Sequence, residues 1–481
     1  TASALETTSL GENFDYGTQV EELPVQNRLI ERVAEMAPNI TFGPTPNTIA
    51  ISGAPSFDTT VLLDGAEMSD PYFGSSPTLY LEDAIEEVQV LTSGVSARYG
   101  RFQGGVVNAI SKTGGNTYTG TLRAQLDNEV WNSQTPFGED QDDNLNQFYQ
   151  LTVGGFILKD HLWWFGGITE IPDTSTTTTT TQQDEPASKA TNTEEQRWQI
   201  KLRGAITPDH VIEVNHFDYE RTLTDRAGLP AGNISALNGN RIDPREINVA
   251  TYQGVLTPNL FLDLQWTEKK VSIASGGDPA GNDPVFDSAV SAVFNNHWWD
   301  FSDASIRDNE TLGLNITQAL STANWGTHTL EYGAQFIKSP TGGENRQSAT
   351  GFNLLSYSFN TNPRNDPVDP GAPFYDRTEP DGRDVFNVTS YSTSGCGPGG
   401  GDVCQINYRW KALPLGGGQE IENLAIYVQE TWEVNKWRFD AGLRWDDYQG
   451  QGPLQTQQFD FDEIAPRVGI TYNIDPNWPV Q

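Results

Sequence analysis

Basic residues are scarce in this chain: 29 lysines and arginines stand against 64 aspartates and glutamates, a formal net charge of -35 over 481 residues. That balance excludes nucleic acid as a partner, because phosphates need a basic face. It also excludes docking on anionic lipid through a polybasic patch. The acidity fits solubility, salty surroundings or recruitment of cations. No stretch of about 18 apolar residues occurs, so no membrane-spanning helix is expected. Barrel strands leave only a weak hydropathy trace, so a membrane is not excluded. Histidine is rare as well. His161, His210, His216, His297 and His328 are scattered without metal-ligand spacing. No nucleophile elbow, phosphate loop or paired-carboxylate motif is found, so neither enzyme activity nor a resident cofactor is expected. The 2 cysteines, Cys396 and Cys404, share one glycine-rich run. They are expected to form a local disulfide, which implies an oxidising compartment.

What the chain does have is glycine (46), tryptophan (13) and 11% aromatics, the composition of a large β-barrel with aromatic girdles. From Thr117 onward, long segments alternate. Leu122, Ala124 and Leu126 alternate with Thr121, Arg123 and Gln125. Trp198, Ile200 and Leu202 alternate with Gln199, Lys201 and Arg203. The same scheme returns at Leu262–Trp266, Leu312–Ile316, Leu330–Phe336, Trp437–Trp445 and Val468–Tyr472. Alternation means one apolar and one polar face and leaves open which faces outward. Connection lengths decide. Short turns fall at Lys159-Asp160, Pro208-Asp209, Pro258-Asn259, Ala323-Asn324 and Asn435-Lys436. Between them lie polar loops over 129–144, 172–194, 222–245, 274–308 and 339–420. Alternating short and long connections mark an outer-membrane barrel, whose turns are short on one side. A soluble sandwich has no reason to sort its loops this way. The pattern gives about twelve strands, an even number.

The N-terminal part reads differently. Val25, Leu29, Val33 and Met36 recur at helical spacing over 23–37, and Pro38 ends the run. Ile49 and Ile51, then Val61-Leu62-Leu63, then Val88 and Val90, then Val106, Val107 and Ile110 form short strands with glycines beside them. Asp64-Gly65 is a turn dipeptide. This is a compact α+β unit. Several pieces carry a resemblance: Val61-Leu62-Leu63-Asp64-Gly65, the segment 85–90, Ala97-Arg98-Tyr99-Gly100, and Gly104-Gly105-Val106-Val107-Asn108 running to Lys112-Thr113. The stretch resembles the plug domain of TonB-dependent outer-membrane receptors. Leu23-Pro24-Val25-Gln26-Asn27-Arg28 and Ala465-Pro466-Arg467-Val468-Gly469 resemble the OmpA-related, Oar-like branch.

The resemblance implies a membrane β-barrel of about twenty-two antiparallel strands in the complete protein, with an N-terminal α+β plug in its lumen. The expected division is a plug over 1–115 and the first part of the wall over 116–481, with further strands beyond. A dozen strands could not enclose such a plug. The resemblance also places an immunoglobulin-like domain and a TonB box before the plug. It implies uptake of an extracellular ligand, with a periplasmic TonB protein and its inner-membrane energising complex displacing the plug. The surroundings would be outer-membrane lipid and lipopolysaccharide of a Gram-negative bacterium. The Oar-like branch favours a bulky ligand (peptide, oligosaccharide or protein) over a siderophore. A plugged barrel serving structure, adhesion or secretion is the alternative. The plug signature residues are Asp64, Gly65, Arg98, Tyr99, Gly100, Gly104 and Gly105.

By resemblance the outward plug turns lie at 54–58 and 68–75. Phe57, Tyr72 and Phe73 are therefore candidate ligand-side residues, since exposed aromatics anchor binding; packing against the wall is the other reading. Trp298 and Trp299, in a long loop, are either a ligand platform or interface residues. Arg123, Arg203 and Arg444, on the polar side of their strands, either pair with plug acids such as Glu82, Glu86 and Glu87 or are solvated. The run 140–143, rich in aspartate, holds calcium or is a solvated face. Thr176 to Thr181 is expected to be a flexible external tract.

Overall fold

The structure is a computed structural model. It describes residues 10–20, 29–42, 48–70, 79–131, 133, 141, 143–180, 186–226, 239–276, 285–287, 292–294, 305–322, 325–343, 352–359, 386–394, 404–412, 418–452 and 457–472.

The N-terminal unit holds strands β1 (Leu10–Asp15), β2 (Ile40–Phe42), β3 (Ile49–Ile51), β4 (Thr59–Leu63), β5 (Ala66–Glu67), β6 (Ile85–Ser93) and β7 (Gly105–Ser111). A 5-stranded sheet runs β1-β6-β7-β4-β5, and β2 pairs β3 apart from it. β4 lies parallel to β7; the other pairs in this sheet are antiparallel. Val61, Leu63, Val88, Val90, Val107 and Ala109 are buried together with Ile30, Val33 and Ala34 of helix α1 (Ile30–Ala34). The expected helix over 23–37 is thus seen as one short turn of α-helix, with residues 21–28 outside the description. Asp64 and Gly65 close the β4–β5 hairpin, both at positive φ (47° and 83°). That is the backbone of a two-residue hairpin turn and explains this dipeptide.

The remaining strands are β8 (Thr119–Asp127), β9 (Asn146–Leu158), β10 (Leu162–Thr180), β11 (Pro186–Thr207), β12 (His210–Arg226), β13 (Gly239–Thr257), β14 (Leu260–Gly276), β15 (Val285–Asp287), β16 (Ala292–Phe294), β17 (Ser305–Arg307), β18 (Asn309–Thr322), β19 (Gly326–Gly342), β20 (Phe352–Phe359), β21 (Phe386–Ser394), β22 (Cys404–Ala412), β23 (Gln419–Val434), β24 (Trp437–Gln451) and β25 (Gln457–Tyr472). β8 through β14, β17 through β19 and β23 through β25 form one antiparallel 13-stranded sheet. β17 and β18 share one place between β14 and β19, so the wall has the strand positions expected from the alternation.

Two expectations about the loops are corrected. Residues 172–180 and 186–194 are strand and not loop: β10 and β11 stay paired up to Thr180 and Pro186, so Thr176 to Thr180 is strand, and Thr181 lies outside the described residues. Threonine is β-branched and favours extended backbone, which serves a long hairpin as well as it serves a tether. The 274–308 and 339–420 connections also carry order. Their strands β15, β16, β20, β21 and β22 form a separate 5-stranded sheet.

The wall is turned inside out relative to a soluble sheet. Leu122 is 81% exposed and Val468 is 81% exposed, and Ile200, Leu202, Leu264, Leu312, Leu314, Ile426 and Leu443 also face outward. Their neighbours Gln150, Thr152, Gln199, Lys201, Thr267, Gln429 and Arg444 are buried. A polar inner face and an apolar outer face at the same period is how a barrel meets lipid. The inner face carries buried cations with buried acids such as Asp243 and Asp446 among them. Arg197, Lys201, Lys269 and Arg444 are turned inward. Glu170, Glu194, Glu220 and Glu310 lie exposed on the opposite register.

Candidate functional site

The lumenal surface between plug and wall is the place where these inward polar residues converge. Wall strands from β8 to β25 touch the plug, so the sheet curves around it.

The first cluster centres on plug residues Glu82 and Asp83. Arg197 Nη1 lies 3.0 Å from Glu82 Oε1 and also donates to the Tyr80 carbonyl at 3.0 Å. Arg123 reaches Glu82 at 3.5 Å and Asp83 at 3.3 Å. Gln150 Nε2 donates to Glu82 Oε2 at 3.0 Å, while its Oε1 accepts from the Asp83 amide at 3.0 Å. Glu195 holds the other edge of Arg197. Buried carboxylates are thus met by cations and amides together, the condition under which buried charge is tolerated. Behind them the Tyr80 hydroxyl donates to Glu31 at 3.2 Å, and burial pushes its pKa well above the usual phenol value.

The second cluster is built on the hairpin turn. Asp64 accepts from the Ser111 amide at 2.9 Å, Ser111 Oγ at 2.6 Å and Asn215 Nδ2 at 2.7 Å. Lys201 Nζ lies 3.4 Å from Asp64 and 2.9 Å from Glu213. Gln265 donates to the Asp64 carbonyl at 2.9 Å. Gly65 is required twice over: its φ is positive, and a Cβ there would lie 2.9 Å from Gln265 Nε2. Nearby, Lys269 donates to the Ser69 carbonyl at 2.7 Å, Arg307 pairs with Asp70, and Arg101 pairs with Glu67 at 3.0 Å.

The third cluster grips the plug loop through Ala97-Arg98-Tyr99-Gly100. Arg444 donates to the Ala97 and Arg98 carbonyls at 3.3 and 2.9 Å. Arg467 donates to the carbonyls of Val95 (2.9 Å), Ser96 and Tyr99 (2.6 Å). The Ala97 amide donates to Gln429 Oε1 at 2.7 Å.

The interface is not wholly polar. Phe165, Phe217, Ile247 and Val249 of the wall belong to the same buried apolar cluster as plug residues Leu79, Tyr80 and Leu81. The lumen therefore carries an apolar stripe on β10, β12 and β13, unlike the purely polar lumen that easy plug movement would favour.

Of the arginines singled out in the sequence, Arg123 does pair with Glu82. Arg203 instead pairs with wall residue Glu213 at 4.0 Å, and Arg444 meets plug carbonyls and wall Asp446. Glu87 accepts from Asn13 at 2.9 Å, within the plug. Arg197, Lys201, Asn215 and Arg467 were not picked out; their signal was position on the polar register of an alternating strand, shared with many others. Phe57 is 68% exposed. Tyr72, Phe73, Trp298, Trp299 and Cys396 lie outside the described residues, as does the side chain of Cys404. Asp140 and Asp142 also lie outside; Asp143 accepts from Asn128 at 2.9 Å. Gly104 packs under the Ile51 carbonyl, and Gly105 against Ile51 and the Leu91 carbonyl, where no side chain would fit.

A folded plug held inside an inverted β-wall defines an outer-membrane plugged barrel. Residues 19–107 match the TonB-dependent Receptor Plug Domain, and residues 267–481 match the TonB dependent receptor-like beta-barrel. The chain belongs to the TonB-dependent receptors of the Gram-negative outer membrane, a family of transporters and not of enzymes. It is 32% identical over 155 residues to the TonB-dependent transporter Oar of Myxococcus xanthus, covering 29% of this chain and 14% of that protein, which supports the Oar-like branch. Its fold is similar to that of the outer membrane transporter YddB from Escherichia coli (TM-score 0.66, 13% identity, 96% of this chain and 59% of that one). It is also similar to that of the siderophore receptor PirA from Acinetobacter baumannii (TM-score 0.64, 14% identity, 97% and 59%). The chain thus spans 59% of the length of these solved relatives.

Proposed function

We propose that this chain forms the plug (1–115) and part of the wall (116–481) of a TonB-driven importer of a bulky ligand. Ligand binds the long-loop side and the plug turns, with Phe57, Tyr72, Phe73, Trp298 and Trp299 as its aromatic contacts. Periplasmic TonB, powered from the inner membrane, then displaces the plug. The outer face of the wall sits in outer-membrane lipid and lipopolysaccharide. The observation that carries this reading is the composition of the plug–wall surface. Glu82, Asp83 and Asp64 are held by Arg123, Arg197, Lys201, Gln150 and Asn215. Polar partners of this kind can exchange for water as the plug shifts, and the apolar stripe of Phe165, Phe217, Ile247 and Val249 is the part that resists.

A peptide, oligosaccharide or protein is favoured over a ferric siderophore because the sequence likeness runs to Oar, whereas likeness to the siderophore receptor is one of fold alone. One observation favours a second reading, a surface-binding role: the sheet of β15, β16 and β20 to β22 gives the long connections an ordered scaffold. Cells with and without TonB should be offered a fluorescent peptide, a fluorescent oligosaccharide and a ferric catecholate. TonB-dependent entry of one of the first two is expected. Entry of the ferric catecholate alone would reverse the ligand class. Surface binding without entry would favour the second reading.

A further inference from the structure

We infer that Arg444 and Arg467 form a main-chain anchor that fixes the plug loop Val95–Tyr99 to the wall while the carboxylate-held contacts elsewhere are broken. This rests on the importer reading for its role but not for its test. Every carbonyl from Val95 to Tyr99 accepts from one of these two guanidinium groups, which stand on adjacent strands β24 and β25. A loop that aims successive carbonyls to one side needs a dense set of donors, and the planar fork of arginine supplies them where a lysine ammonium cannot.

The geometry is prepared on both sides. Arg444 is 1% exposed and is held from behind by Asp446, at 2.8 Å from Nε and 2.9 Å from Nη2, and by Gln335 at 3.2 Å. The plug side is cut to fit: a Cβ on Gly100 would sit 2.5 Å from the Arg444 guanidinium carbon. Gly100 is not at positive φ, so its glycine answers to Arg444 and not to a turn. Arg467 also lies over the Phe102 ring, 5.2 Å from its centroid.

The chemistry of this grip differs from that of the other contacts. At the other clusters the plug contributes carboxylates (Glu82, Asp83, Asp64 and Asp70), which a competing ion can screen, beside single carbonyls at Tyr80, Ser69, Asp64 and Ser111. At Val95–Tyr99 it contributes five successive peptide carbonyls, which no change of the loop's side chains removes. When the plug is pulled, the carboxylate contacts can yield while this loop stays in register.

The test uses the complete receptor, of which this chain is read as the plug and part of the wall, in planar bilayers, with potassium chloride conductance during a urea titration as the reading of plug release. It needs neither ligand nor TonB, so failure of the importer reading leaves it intact. Arg467→Lys is expected to raise the open-pore probability about tenfold or more at a given urea concentration, because one ammonium replaces three donated bonds. Adding the pair Ala97→Cys and Gly442→Cys, whose Cβ atoms would lie 3.2 Å apart, should return the oxidised variant to the wild-type level. A defect of overall folding would not be rescued by one tether. Unchanged conductance in Arg467→Lys, or failure of the closed disulfide to restore the wild-type level, would overturn the anchor.

Discussion

Lys201 of the wall places its Nζ 3.4 Å from Asp64 of the plug, and both side chains are almost wholly buried. The two residues are far apart in sequence and meet only because the plug sits in the lumen. Asp64 also accepts from Ser111 and Asn215, and Lys201 also donates to the Ser111 carbonyl at 3.1 Å. Removing one member leaves the other charged and desolvated. Lys201→Met is expected to weaken plug docking by about 3–5 kcal/mol. The double variant Lys201→Met with Asp64→Asn should cost less than Lys201→Met alone. Protease susceptibility of the plug in folded, detergent-solubilised protein reads this directly. Equal plug protection in the wild type and Lys201→Met would refute it.

Gly65 makes a separate prediction. Its φ of 83° charges any side chain about 1–2 kcal/mol, and Gln265 closes the space above it. Gly53, at φ 79°, has open space. Gly65→Ala should therefore destabilise more than Gly53→Ala; in a Gln265→Ser background, which by itself loses the bond to the Asp64 carbonyl, the further cost of Gly65→Ala should fall to that of Gly53→Ala. Thermal unfolding of the set decides: equal losses at both glycines would mean that Gln265 yields without cost.

The outer face predicts an effect of salt. Glu268 and Glu310 are direct cross-strand partners, as are Asp218 and Glu246, and Asp447 and Asp462. Like charges directly opposed destabilise a sheet. Glu310→Gln keeps an acceptor for Trp266 Nε1, now at 2.9 Å, and removes the repulsion. A gain of about 0.2–1 kcal/mol is expected at low ionic strength, fading toward 1 M salt as the Debye length falls to about 3 Å. A gain that persists unchanged in 1 M salt would point to packing instead.

How far the sequence carried these conclusions depends on the periodicity involved. The wall was legible because period-two alternation survives over long strands and because its loops sort by length. The Asp64-Gly65 hairpin was legible because only a few dipeptides tolerate two successive positive φ values. The plug–wall pairs were not. Arg203 and Lys201 share one face of one strand, yet only Lys201 meets Asp64, because alternation gives the face and not the depth in the lumen. Thr176 to Thr180 reads as polar low complexity, and its strand state depends on pairing with the segment from Pro186, which composition does not reveal. The carbonyl grip on Val95–Tyr99 left its trace in residue type at Gly100 alone on the plug side, since the accepting groups are backbone.

The assignment of faces can be checked at one strand. On β18, Leu314 points outward and its neighbour Asn315 points into the lumen, where it accepts from Tyr427 at 2.9 Å. If the outer face meets hydrocarbon, Leu314→Arg should cost about 2–4 kcal/mol for folding into vesicles, the penalty of a cation near the bilayer midplane. Asn315→Ser, on the wet side, should cost about 1 kcal/mol through the lost bond to Tyr427. In detergent-free buffer a soluble sheet would reverse this ranking, because an exposed arginine is harmless there. Urea titration of the two variants refolded into lipid vesicles gives the ranking, and a smaller loss for Leu314→Arg than for Asn315→Ser would turn the wall around.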